Sequence, residues 1–193
     1  MFIVKKLSDN SKEYLNTYYD IIDQMSKAIN GCEIGKSIGG LYINQITPLL
    51  QASIDLNNNI LKYTTNTDIE NFAKNITFDR NNEIQKLSEI TETCACVCNS
   101  ERDVKLYMRK FNEVNGNMMQ RLNSAPATNN LDMLYLTTMT TLLEGGIGFS
   151  KNVLAYNICP DLKDFATNLI DEMNLQISTI KSIMKNLWNS ESI

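Results

Sequence analysis

Three thiols stand at alternate positions in Thr93-Cys94-Ala95-Cys96-Val97-Cys98-Asn99. In an extended stretch all three point to one side. In a helix, Cys94 and Cys98 are neighbours at i, i+4. Either arrangement can hold a soft cation such as Cu(I) or Zn²⁺, although a closed zinc site takes four ligands. Cys32, Cys159 or a second chain can supply the fourth. Two other readings stand beside this one. Small, weakly polar thiols can fill a helix end or a packing seam, or they can cross-link chains in an oxidising layer. Cys159 precedes Pro160 at an expected helix start, where the helix dipole favours thiolate. It fits equally as an ordinary residue at that helix end.

Histidine is absent. That removes His–metal sites, Ser–His triads and imidazole proton shuttles together. The carboxylates that remain for metal or acid–base work are Glu70, Asp79, Glu83, Glu144, Asp171 and Glu172. Most fall off the apolar stripes of their helices. Glu144 flanks the apolar pair Leu142-Leu143 and reads as a helix-surface carboxylate, because buried carboxylates are rare unless paired. Gly35-Lys36-Ser37 has the ending of a phosphate loop without its upstream glycine or strand context.

The elements that must position these groups are helices. The chain has 193 residues with only 3 Pro and 8 Gly, poor material for a turn-rich β protein. Its 18 Lys+Arg and 22 Asp+Glu give a net charge of -4. No basic surface for nucleic acid is therefore expected. No apolar run is long enough to span a membrane, and the start, with Lys5-Lys6 soon after Met1, lacks the apolar core of a signal peptide. The expected location is cytoplasmic, with the five cysteines, an odd number, kept reduced.

A shift of 93 residues lays the chain on itself without a gap, with 19 of 77 positions identical between residues 14 and 90 and their counterparts. Tyr14 meets Tyr107, Met25 meets Met118, Tyr42 meets Tyr135, Leu49-Leu50 meets Leu142-Leu143, and Phe72-Ala73 meets Phe165-Ala166. The matches concentrate on apolar positions, as a duplicated core requires. The expectation is one domain over 1–193 made of two repeats, about 11–99 and 103–193, related by an approximate twofold. Each repeat reads as three amphipathic helices. Thr67 with Glu70 has capping-box spacing, Ser100 with Asp103 opens the fourth helix, and Pro160 sits where a helix starts without losing a needed donor. Hairpins over 40–91 and 133–188 can pair into an antiparallel four-helix bundle, with helices at 11–30 and 103–122 capping or flanking it. Gly145-Gly146-Ile147-Gly148 falls within a helix, where each glycine costs roughly 1 kcal/mol relative to Ala. Close helix approach is the expected compensation. Trp188 is expected to anchor the last turn.

Met139-Thr-Thr-Leu-Leu-Glu-Gly-Gly-Ile147, followed by Phe165-Ala166 and Gln176-Ile177, resembles the signature of the domain-of-unknown-function 305 family in the ferritin-like superfamily. That signature reads roughly Met-Ile-x-His-His-x-x-Ala-Ile. Ile46-Thr-Pro-Leu-Leu-Gln-Ala-Ser-Ile54, with Phe72-Ala73 and Glu83-Ile84, repeats it more loosely. The resemblance covers the two hairpins, about half of the chain, and implies an all-α, ferritin-like four-helix bundle. The family's paired His fall on Leu49, Leu50, Leu142 and Leu143, and leucine neither ligates a metal nor moves a proton. A ferritin-type di-iron centre needs Glu-x-x-His from two helices, and none occurs. The expected function is that of a non-enzymatic structural or interaction protein without a cofactor, working with another protein or by self-association. The alternatives are a soft-metal or thiol-redox protein using Cys94, Cys96 and Cys98, or a cross-linked component of the spore-coat type.

Overall fold

Helices begin where the sequence offers an oxygen to the first free amides. In a computed structural model, which describes residues 6–31, 35–93 and 97–190, the chain forms six helices, with no strand among those residues. Helix α1 (Asp9–Asn30) is capped by Ser8, α2 (Ile38–Ile60) by Ser37, α4 (Glu101–Asn123) by Ser100 and α5 (Leu131–Val153) by Asn130. Each cap accepts a hydrogen bond from the amide three residues on, satisfying one of the orphan donors of the first turn. Helix α6 (Pro160–Ser190) opens on proline as expected. Helix α3 (Thr67–Thr93) corrects the sequence reading by one residue. Its cap is Asn66, whose Oδ1 accepts from the amides of Asp68 at 2.9 Å and Ile69 at 3.1 Å. Thr67 is already helical, and Glu70 pairs with Lys74 rather than closing a capping box.

Helices α2 and α5 occupy the middle. Helix α2 packs on α1, α3 and α5, and α5 packs on α2, α4 and α6, while α3 and α6 meet more sparsely. The two central helices run antiparallel, as crossed hydrogen bonds show. Tyr42 and Ser150 hydroxyls meet at 2.8 Å, and the Tyr135 hydroxyl donates to Asn57 Oδ1 at 2.7 Å. Between these two bonds lie Leu49, Leu50, Leu142 and Leu143, all buried.

Contacts recur at the offset of 93. Asn59 donates to the Tyr14 carbonyl at 3.1 Å, and Asn152 to the Tyr107 carbonyl at 3.0 Å. Tyr14 meets Tyr63 edge-on at 5.8 Å, and Tyr107 meets Tyr156 edge-on at 5.8 Å. The crossed bonds obey the same rule, since Tyr42 and Asn57 correspond to Tyr135 and Ser150. One correspondence fails in a telling way. The Tyr107 hydroxyl donates to Gln45 at 2.5 Å, but Gln45's counterpart is the shorter Thr138, and the buried Tyr14 hydroxyl has no partner. The α1 and α4 layers also touch directly, through the Tyr18 hydroxyl and the Leu122 carbonyl at 2.7 Å.

The glycines of α5 permit close approach. A Cβ at Gly145 would stand 2.2 Å from Met118 Sδ, and one at Gly148 would stand 2.6 Å from Val114, both on α4. A Cβ at Gly146 would stand 2.7 Å from Met173 on α6. The middle helix thus admits both neighbours through three missing methyls. Trp188 departs from expectation: it is 72% exposed and does not anchor α6 by burial.

Candidate functional site

Among the described residues the one fully buried cation is Arg80, on α3, at 0% exposure. A guanidinium there survives only with partners, because an unpaired buried charge costs several kcal/mol. Glu83, one helical turn on, supplies both carboxylate oxygens to Arg80 Nη1. Gln176, across on α6, accepts from Nη2 at 2.5 Å. Gln176 then donates its amide to Asp79 Oδ2 at 3.4 Å, so Arg80, Gln176 and Asp79 form a chain that ties α3 to α6. Arg80 Nε has no partner.

The carboxylates around this cation are crowded. Burial pushes the Glu83 carboxyl up to about 7, against the pull of Arg80, and the nearby Glu172 carboxylate on α6 helps to hold its proton. Burial also raises Asp79, again opposed by Arg80 and assisted by Glu172. Tyr42, reaching in from α2, is raised mainly by its own burial and in smaller part by the Glu83 charge.

Outside the cluster the sparse α3–α6 packing leaves a groove of about 520 Å³. Phe72, Ile76 and Ile183 are its buried apolar floor, while Asp68, Asp79 and Glu172 bring carboxylates to it. Leu175 of α6 lines it at 70% exposure, and Phe78 of α3, which does not line it, is 68% exposed. A second cavity, of about 420 Å³, lies among α1, α4 and α5, with Tyr18, Thr138 and the loop after α4 in its wall.

The residues singled out from sequence are distributed differently. Leu49, Leu50, Leu142 and Leu143 are buried, in the stretches of α2 and α5 between the two crossed bonds. Glu144 is a surface carboxylate paired with Arg121 of α4. Glu70 pairs with Lys74 on the surface. Cys98 is an exposed free thiol in the connection after α3, and Cys94, Cys96 and Cys32 lie outside the described residues. Cys159 is disulfide-bonded, which corrects the expectation of five reduced thiols and removes it as a thiolate ligand. Among the described residues no group of His, Cys, Asp and Glu is arranged to hold a metal ion. No helix among them is long and apolar enough to cross a membrane.

Sequence reasoning missed Arg80 altogether. Its signal was available in the offset: Arg80 corresponds to Met173 and Glu83 to Gln176, so a charge stands where the other half keeps an apolar core residue. Comparison with known proteins found no matching family model, curated protein or solved structure.

Proposed function

We propose that the chain is a non-enzymatic helical interaction protein: a ferritin-like four-helix bundle of α2, α3, α5 and α6, duplicated from one three-helix unit and flanked by α1 and α4. The bundle is degenerate in this reading, because leucines occupy the positions where the resembling family carries paired His. The observation that carries the reading is the α3–α6 face. It exposes Leu175 in the wall of an open groove, with Phe78 also exposed on α3, whereas interior polar groups such as Tyr42, Tyr135, Asn57 and Arg80 are spent on one another and on neighbouring helices. Exposed large apolar side chains gathered along a groove are a feature of docking surfaces.

Elemental analysis of the purified full chain, combined with a free-thiol count, tests this. Absence of stoichiometric metal with a reactive Cys98 supports the reading. Stoichiometric metal with protected thiols overturns it in favour of a soft-metal protein built on Cys94, Cys96 and Cys98.

A further inference from the structure

We propose that the groove between α3 and α6 seats a cationic amphipathic helix of a partner protein. This rests on the reading of the chain as an interaction protein and names the chemistry of the partner. Three observations converge on it. The groove has an apolar floor in Phe72, Ile76 and Ile183, which suits an apolar stripe. Asp68, Asp79 and Glu172 line it, and no Lys or Arg does. From Asp68 to Asp79 it follows three turns of α3, about 17 Å, the length of a short helix.

Charge decides among occupants. A second copy of this chain presenting the same face would set carboxylates against carboxylates, and like charges in contact penalise a wrong partner. Lys or Arg flanking an apolar stripe would instead meet Asp68 at one end and the Asp79–Glu172 pair at the other. The cations of α3 in and beside this stretch are already paired, Lys74 with Glu70 and Arg80 with Glu83. Burial without a full counter-charge raises the Asp79 carboxyl, and an incoming cation would relieve that penalty. A helix laid along the groove would also cover Leu175, giving α3 and α6 the third neighbour their sparse packing leaves out.

The probe is a synthetic helical peptide of Leu, Ala and Lys, with Leu at i, i+3, i+4 and i+7 spacing, beside a twin carrying Glu for Lys. Binding to the full-length chain is read by fluorescence anisotropy. The expected result is saturable binding of the Lys peptide and at least about tenfold weaker binding of its twin, a difference of about 1.4 kcal/mol. The variant Asp68→Asn/Asp79→Asn/Glu172→Gln should lose at least about tenfold in affinity for the Lys peptide. A control variant on α1, Glu13→Gln/Asp20→Asn/Asp23→Asn, removes the same formal charge elsewhere and should lose less than about twofold. Leu175→Asn, a neutral change at an exposed position, should weaken binding even if the triple groove variant fails to fold.

Equal losses in the two triple variants would mean bulk charge attraction and overturn the proposal. So would saturable dimerisation of the chain in sedimentation that Leu175→Asn abolishes, which would give the groove to a second copy. If neither peptide binds while the chain holds no metal, the partner assignment fails alone. If the chain holds stoichiometric metal, the broader reading fails whatever the peptide does.

Discussion

Replacing Arg80 by Met, the residue its counterpart Met173 carries, isolates the buried ion pair. Arg80 is wholly buried and the Glu83 side chain is 10% exposed, so neither charge can turn to water when the other is deleted. Removing one partner of such a pair costs about 3–5 kcal/mol. The cost depends on pH in a direction that the cluster fixes. The Glu83 carboxyl stands at about 7 in the fold against an ordinary 4.5, so the fold binds this proton more tightly than the unfolded chain does. Stability from this group is therefore present in full below about 4.5 and is lost as pH rises through 7. At about 1.4 kcal/mol per tenfold in proton affinity, the span is worth about 3 kcal/mol. The groups that face Glu83 are Arg80 and Asp79 on its own helix, Glu172 on α6 and Tyr42 on α2; Asp79 shifts in the same direction. Without Arg80 to stabilise its anion, Glu83 rises further and is protonated at pH 6. Arg80→Met should thus cost about 3–5 kcal/mol at pH 8, where the fold must either bear an unpaired carboxylate or hold on Glu83 a proton that the unfolded chain has released. At pH 6 it should cost only about 1–3, where a neutral carboxyl lacks one partner. Adding Glu83→Gln, the residue found at 176, should restore wild-type stability at pH 8 to within about 1 kcal/mol, because a buried pair replaced whole by neutral groups is often no loss. Urea denaturation of the three proteins at both pH values measures this. A cost below about 1 kcal/mol at pH 8, or an equal cost at both pH values, would refute the argument.

Three further perturbations probe the packing. Tyr14→Phe removes a buried hydroxyl that has no partner, so thermal denaturation should show no loss and up to about 1 kcal/mol of gain, whereas Tyr107→Phe strands Gln45 and should cost about 1–3 kcal/mol. Gly116→Ala, where a Cβ meets nothing within 4 Å, should stabilise α4 by up to about 1 kcal/mol; Gly148→Ala, driven against Val114 at 2.6 Å, should destabilise, since overpacking of about 1–3 kcal/mol outweighs the helical gain. Leu142→Ala should cost about 2–5 kcal/mol in denaturant titration. Restoring the resembling family's residues with Leu142→His/Leu143→His should cost about 1–3 kcal/mol for each unpaired ring, and a variant that kept its melting temperature and gained tight metal binding would mark a latent metal centre.

Helix positions were legible because amphipathic periodicity is local and each stripe is long. The same locality explains the shift at α3. Thr67 and Glu70 satisfy the capping-box spacing as written, but Asn66 is the residue whose backbone lies outside the helix, and its oxygen reaches two amides at once. Cys159 was misread for a complementary reason: a disulfide is a tertiary fact, and residues flanking one cysteine carry no trace of the other. Arg80 was invisible to periodicity, because an arginine off the apolar count is taken for a surface residue. Only comparison with Met173 at the repeat offset would have put it inside. Leu49, Leu50, Leu142 and Leu143 stand at equivalent positions in the two halves of the sequence, and all four are buried. The groove was not readable at all, since it arises from how far apart α3 and α6 stand.

The crossed pairs Tyr42–Ser150 and Tyr135–Asn57 have a consequence for synthesis. Every bond of that seam joins an N-terminal residue to one made some eighty to a hundred residues later. The first half emerges from the ribosome with Leu49 and Leu50 uncovered and with Tyr42 and Asn57 waiting for partners that do not yet exist. The surface it presents meanwhile matches its awaited partner at the offset of 93, where Tyr42, Leu49 and Leu50 correspond to Tyr135, Leu142 and Leu143. Two nascent first halves can therefore satisfy one another in trans, the domain-swapping hazard of duplicated folds. The polar seam does not oppose that error, because two copies of α2 would set Tyr42 against Asn57, the pairing that Tyr135 and Asn57 already make within the chain.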